Sequence, residues 1–225
     1  MIHHELCRLA IRQAHLLHRL LPAAPEVDGL LALQLLSYAR TLMRATPDRT
    51  LVPLDQQDRR VWDREAINEG LALLDRTLRR GRHGQYQIQA AISATHRHAR
   101  RWEDTDWAEI VRLYDALLAI TPSAIIRLNR ALAVSRLHGA RTRLDLVNAL
   151  REEKGLPDRH AFHAVRGGLL EEVGRHREAR AAFELARART TNTDEARYFQ
   201  SKIDGLGDED VTAPRRYSDS ARTTI

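Results

Sequence analysis

The spacing of apolar residues constrains the fold of this chain more than any other feature. One set recurs at intervals of four, three and four residues: Ile67, Leu71, Leu74 and Leu78. The apolar residues after Trp107 repeat in the same way. Such intervals place side chains on one face of an α-helix. Since no segment alternates apolar and polar residues with a period of two, the chain is predicted to be all-α.

Proline, glycine and asparagine divide the apolar repeats into about ten predicted helices. Pro22 and Pro25, for example, mark the end of the first helix. We predict an N-terminal helical subdomain over residues 1–103 and helical hairpins over residues 104–204. The composition turns polar after that point, so residues 205–225 are predicted to form a flexible tail.

One segment, from about His160 to Thr193, has the spacing of a tetratricopeptide repeat. In that repeat small residues let two helices approach closely, and a large apolar residue fills the gap between neighbouring helices. The matching positions are Gly167, Leu170, Gly174, Ala179, Phe183 and Ala186. The spacing favours stacked antiparallel hairpins, as in a tetratricopeptide-like α-solenoid. An ordinary helical hairpin is the alternative.

Composition narrows the classes of protein that fit this chain. No stretch approaches the roughly 18 uninterrupted apolar residues of a membrane span. His3, His4 and Glu5 stand where the apolar core of a signal peptide would begin. Cys7 is the single cysteine, so it cannot form an internal disulfide. We therefore expect a cytoplasmic protein in which Cys7 is a half-buried helix residue.

The charge balance is basic, with a net charge of +6 and a sequence pI near 10.1. A basic balance suggests nucleic acid or an acidic protein surface as partner. Lys154 and Lys202 are the only lysines, so nearly all the positive charge is arginine, which is scattered among acidic residues. Scattered charge is typical of solvated helix faces. Direct nucleic-acid binding stays open as an alternative function.

A search for chemistry yields no catalytic or metal-binding pattern. His96 and His98 are two residues apart, so their side chains diverge on a helix. His160 and His163 can share a face but lack a third ligand close by. The sequence also contains no HExxH, no glycine-rich phosphate loop and no GxSxG. We therefore predict that the chain is not an enzyme and binds no cofactor or metal.

Large aromatic residues at helical spacing are more often part of a core than of a ligand site. Four of them are predicted to be largely buried at helix–helix contacts: Trp62, Tyr86, Trp107 and Tyr114.

A polar face on one predicted helix is the candidate partner-binding site. Gln85, Gln89 and His96 return to roughly one side of a helix, and Tyr86 lies beside them. Such a face can bond a partner's backbone and still bury apolar area. Buried glutamines usually find partners within their own domain, so an internal, structural role is the competing interpretation.

Three further segments carry a family resemblance: Leu54 to Asp63 reads LDQQDRRVWD, Gly84 to His96 reads GQYQIQAAISATH, and Thr105 to Val134 begins TDWAEIVRLYD. With the hairpin segment Gly174 to Ala186, they resemble the C-terminal extension of a group of bacterial extracytoplasmic-function RNA polymerase sigma factors. The resemblance covers the chain from about Leu6 to Ile203 and implies a helical, tetratricopeptide-like fold.

In that family the extension follows sigma regions 2 and 4, which melt and recognise promoters. This sequence contains neither an aromatic-rich helix for promoter melting nor a helix-turn-helix. The resemblance therefore implies a regulatory role in transcription initiation through protein contacts with a sigma core, RNA polymerase or another regulator. It implies no sequence-specific DNA binding by this chain alone.

Overall fold

A computed structural model describes residues 4–41, 52, 54–81, 83–99 and 101–206. Within these residues there are nine α-helices, three short 3-10 segments and no strand, so the all-α prediction is confirmed. The helices are α1 His4–Leu20, α2 Pro25–Tyr38, α3 Arg64–Leu78, α4 Gln85–His98, α5 Trp107–Ile120, α6 Ala124–Ala149, α7 His160–Glu172, α8 His176–Arg189 and α9 Thr193–Gly205. The 3-10 segments are Leu54–Gln56, Arg59–Val61 and Leu150–Glu152.

Two sequence predictions concern the limits of this helical body. The predicted tail lies outside the described residues, except for Gly205, which ends α9, and Leu206, which is buried. No helix in the described ranges is both long enough and apolar enough to cross a membrane. Cys7 is half-buried on α1, as predicted.

Helix α2 is the centre of the N-terminal half, and α1, α3 and α4 all pack against it. It is apolar on most sides, which suits a helix surrounded by others. Two glycines permit close contacts with α2. A Cβ on Gly29 would lie 2.7 Å from Gln87 of α4, and a Cβ on Gly70 of α3 would lie 3.0 Å from Leu36.

From α5 onward each helix packs mainly on the next one, as stacked hairpins require. The α7–α8 pair is tightly packed, because a Cβ on Gly167 would lie 2.9 Å from the Phe183 ring. Ala179 and Ala186 are completely buried in the same contact. Gly174 adopts a φ of 77° at the turn, a left-handed conformation that favours glycine. The hairpin predicted from the repeat spacing is therefore present.

A smaller core joins the two halves of the chain. Ile88 and Ile92 of α4 are buried against Ile110 and Leu117 of α5 and against Ala133 of α6. This contact continues the packing past residue 103, where the sequence suggested a boundary between helical regions.

The four aromatic residues that the sequence predicts to be largely buried differ in their degree of burial. Trp62 is buried, with 4% of its surface exposed. Tyr86, Trp107 and Tyr114 are only partly buried. Tyr114 lines a cavity, and Trp107 contacts the rings of His96 and Trp102 as well as the apolar core between α4, α5 and α6.

Acidic residues in the segments that carry the family resemblance cap two helices. Asp63 accepts a hydrogen bond from the backbone N–H of Ala66 at the start of α3 (3.1 Å). Asp106 accepts one from Glu109 at the start of α5 (2.8 Å). Each carboxylate satisfies an N–H group that has no partner within the first turn.

Candidate functional site

The polar face predicted on α4 is occupied largely by contacts within the chain. Gln85 accepts a hydrogen bond from the Thr121 hydroxyl at the end of α5 (3.2 Å). His96 stacks on Trp102, with ring centroids 5.9 Å apart, and meets Trp107 edge-on at 5.4 Å. Gln85, Gln89, Tyr86 and His96 are all partly buried. These contacts favour the structural interpretation of the face over partner binding.

A buried polar network at the start of α4 was not singled out from the sequence. Gln87 is completely buried, and its amide donates to the Thr77 hydroxyl (2.7 Å) while its oxygen accepts from the Gly84 N–H (2.7 Å). Glu26 accepts from the N–H groups of Tyr86 and Gln87 (3.2 and 3.3 Å). The carboxylate thus complements the positive end of the helix dipole. Gln87 alternates with Gln85 and Gln89 in the sequence, so its type alone could not identify it.

Two arginines link the C-terminal ends of helices to the aromatic residues. Arg59 donates to the carbonyls of His96 and Ala99 at the end of α4 (2.8 and 2.7 Å). Arg97 donates to the carbonyl of Leu36 in the last turn of α2. Carbonyls at a helix end have no partner within the helix, and cations stabilise them. Both arginines therefore hold helices in place from positions that the sequence presents as ordinary surface charges.

The same guanidinium groups lie over tryptophan rings. Arg97 is 3.8 Å from the centroid of Trp62, and Arg59 is 5.6 Å from it. Arg136 is 5.0 Å from the Trp102 ring. A cation over an aromatic face is attracted by the ring quadrupole. We call this group the Arg–Trp cluster: Arg59, Trp62, His96, Arg97, Trp102, Trp107 and Arg136.

Burial and neighbouring arginines lower the pKa values of two side chains in the cluster. Burial, and then the neighbouring positive charges of Arg59 and Arg40, lower the pKa of His96 to about 4. Burial, followed by the charges of Arg40 and Arg59, lowers the pKa of Arg97 to about 9. Both directions follow from removing a cation from water and placing it beside like charges.

The other histidine pair considered for metal binding has structural partners. His163 is buried and bonds the carbonyl of Pro157 (2.7 Å), and His160 lies 3.3 Å from the Glu195 carboxylate. Among the described residues no group of three or more histidine, cysteine or acidic side chains could hold a metal ion.

The outer face of α1 carries leucines that nothing in the described structure covers. Six of the eleven exposed large apolar residues in the described ranges lie on α1 or directly after it: Leu6, Leu9, Leu16, Leu17, Leu20 and Leu21. We call these six residues the α1 leucine face. On the side of α1 that meets the core, Ala14 is buried and Ile11 is half-buried. Sequence reasoning missed this face because amphipathic periodicity does not show which apolar side meets the core.

Comparison with known proteins gives two matches of different extent. The model of a family described as a family of unknown function (DUF6596) matches residues 1–78. An uncharacterized protein of Rhizobium meliloti (strain 1021) is 47% identical over 208 residues, which are 92% of this chain and 49% of that protein. The chain therefore spans about half the length of the curated relative it matches. No solved structure matches the chain.

Proposed function

We propose that this chain is a sigma-factor-like regulatory domain, which acts in transcription initiation by binding a sigma core through protein contacts. The α1 leucine face is the observation that carries this proposal. Leu6 and Leu20 are 60% and 66% exposed, which is costly for large aliphatic side chains unless a partner covers them. The proposal assigns the chain to the cytoplasm, where polymerase acts, and includes no catalytic step.

The spacing of the leucines fits a helical partner. Leu6, Leu9, Leu16 and Leu20 follow one another at intervals of three, seven and four residues, which is the seam along which helices pack side by side. An amphipathic helix uses an apolar stripe of this kind to bind in a hydrophobic groove of another protein. We therefore assign the face to a helix of the sigma core.

The Rhizobium relative supports this choice of partner. About half of that protein lies outside the match with this chain. In that protein, a region similar to this chain is therefore joined to other sequence of about the same length. Because the three motif segments resemble a sigma-factor extension, our proposal places sigma regions 2 and 4 in that other half.

The distribution of charge favours a protein partner over nucleic acid. Arginines on outer helix faces pair with acids on their own helix, as Arg79 does with Asp75 (2.7 Å) and Arg112 with Glu109 (2.6 Å). An arginine attracts phosphates less strongly when a neighbouring carboxylate offsets its charge. Fluorescence anisotropy with promoter and scrambled duplexes should detect only weak binding that fades as salt rises. A clear preference for one sequence would instead favour the nucleic-acid alternative.

The decisive variants replace exposed leucines and leave the core intact. Isothermal titration calorimetry would measure binding of the chain to a purified sigma factor that consists of regions 2 and 4, with and without core polymerase. Leu9→Glu combined with Leu20→Glu should abolish binding. Leu185→Glu is the control, because Leu185 is a leucine on α8 whose exposure (41%) is close to that of Leu9 (44%).

Circular dichroism would confirm that both variants keep their helices. The proposal fails if the unmodified chain binds neither the sigma factor nor the holoenzyme. The assignment of the α1 leucine face fails if binding survives the double substitution. Light scattering on the unmodified chain would show whether a second copy of the chain covers the face instead, which would also contradict it.

A further inference from the structure

A pocket of about 400 Å³ lies between the N-terminal half of the chain and the C-terminal hairpins. Residues that follow α2 form one side of it, and residues of α7 and α9 form the other. Small-molecule sites have volumes of about 300–1,000 Å³ and often lie where two parts of a protein meet. The size and the position of this pocket therefore suit a small molecule.

The wall of the pocket is mainly apolar. Ala161, Ala164 and Val165 are separated by three residues and then by one, so they share one side of α7. Leu54 and Phe199 of α9 add to the same apolar wall. The three α7 residues and Leu54 are only half-buried. Apolar surface is therefore left in the pocket, and covering it would be favourable.

The charged side chains of the wall already have partners. Glu195 accepts a hydrogen bond from the Thr190 hydroxyl and lies 3.3 Å from His160. Arg40 also has an interaction partner. A charged ligand would have to give up hydration without gaining a counter-ion of its own, which is unfavourable. The wall therefore favours an uncharged occupant.

One polar group of the wall lacks a hydrogen bond. Gln57 is only 9% exposed, and its amide nitrogen donates to the Val52 carbonyl (2.9 Å). Because a carbonyl can only accept, this bond fixes which end of the amide is the oxygen. That oxygen is buried and has no donor within the described part of the chain. Buried acceptors are normally given a donor, which a hydroxyl or N–H group in the pocket would supply.

We propose that this pocket binds a small, uncharged and mainly apolar molecule that carries one hydrogen-bond donor. The apolar body covers the half-buried side chains of α7, and the donor bonds the amide oxygen of Gln57. Such a molecule contacts both halves of the chain. None of the described residues in the wall belongs to α1, so this site is separate from the α1 leucine face.

Three compounds with the same ethylbenzene body test the chemistry. 4-Ethylphenol is uncharged and has a donor, 4-ethylanisole is uncharged and has none, and 4-ethylbenzoate is an anion. An NMR titration of the full chain should show saturable binding of 4-ethylphenol. 4-Ethylanisole should bind about tenfold more weakly, the effect of one lost hydrogen bond. No saturable binding of 4-ethylphenol, or equal or tighter binding of either other compound, would overturn the proposal.

A filled pocket should bind nothing. Ala164→Phe places a ring in the pocket and should abolish binding of 4-ethylphenol. Ala188→Phe is the matched control, because Ala188 is exposed on α8 and should tolerate the same change with unaltered affinity. Leu9→Glu combined with Leu20→Glu should also leave the affinity unaltered. Binding that survives Ala164→Phe, or is lost equally in either control, would contradict the assignment to this pocket.

Gln57→Met keeps the test decisive if Ala164→Phe fails to fold. Methionine is similar in length to glutamine and lacks the amide oxygen. The affinity for 4-ethylphenol should fall about tenfold and that for 4-ethylanisole should stay the same, so that the two compounds bind equally. A preference for 4-ethylphenol that persists in Gln57→Met would overturn the proposal.

Discussion

The guanidinium group of Arg97 lies 3.8 Å from the centre of the Trp62 ring while it donates a hydrogen bond to the Leu36 carbonyl. One side chain thereby connects the end of α2, the segment before α3 and the end of α4. Trp62 is the buried centre of this arrangement. Its removal should weaken the packing of all three elements.

Trp62→Ala should therefore be strongly destabilising. Removing a buried tryptophan leaves a cavity and exposes the Arg97 charge to an apolar gap, which should lower the free energy of unfolding by about 3–5 kcal/mol. Trp62→Phe retains an aromatic face for the guanidinium and should lose less. Urea melts followed by circular dichroism would measure both. A loss below about 1 kcal/mol for Trp62→Ala would resemble a surface substitution and contradict the packing described.

Two adjacent glycines on α7 should respond in opposite directions to the same change. Gly167→Ala places a methyl group 2.9 Å from the Phe183 ring, and this overpacking should cost about 1–3 kcal/mol. At Gly168 nothing lies within 4 Å of the added atom, so Gly168→Ala should stabilise the helix by up to about 1 kcal/mol. Thermal melts of the two variants would test the hairpin. Similar melting temperatures would show that α7 and α8 are further apart.

The low pKa of His96 makes part of the stability depend on pH. The unfolded chain has the ordinary value near 6.5, whereas the folded chain has about 4. Between these values the unfolded state binds the additional proton, so stability is full above about pH 6.5 and falls towards pH 4. The loss from this residue should be of the order of 2–3 kcal/mol.

His96→Gln removes this titration and retains a polar side chain of similar length. Denaturant melts at pH 7 and pH 4.5 should show that the wild type loses more stability on acidification than the variant does. The other ten histidines are present in both proteins, so their contributions cancel in the comparison. Equal losses in the two proteins would mean that His96 titrates normally.

The sequence predicted most of the helical architecture because the signals involved are local. Apolar intervals of three and four residues define α3 and α5, and the distance from Gly167 to Phe183 is within one hairpin. Arg59 could not be interpreted in the same way, since the carbonyls that it bonds are 37 and 40 residues further along the chain. An arginine has the same local pattern whether it faces water or a distant helix end.

The α4 glutamines show the same limit. Gln85, Gln87 and Gln89 alternate in the sequence, and the position of α2 and α3 decides that Gln87 is the enclosed one. Gln87→Ala should cost about 1–3 kcal/mol, because the Thr77 hydroxyl and Gly84 N–H lose their partner. Gln89→Ala should change stability by no more than about 0.5 kcal/mol. Chemical denaturation of the two variants would test this ranking, and a larger cost for Gln89→Ala would reverse our placement of α4.

The central claim is that the α1 leucine face binds a sigma core. Hydrogen–deuterium exchange measured by mass spectrometry, on the chain alone and with the purified sigma factor, tests it most directly. We predict that the sigma factor slows exchange in peptides covering α1 and leaves α8 unaffected. A complex that forms without slowing exchange in α1, or slows it only in the hairpins after residue 124, would contradict the claim.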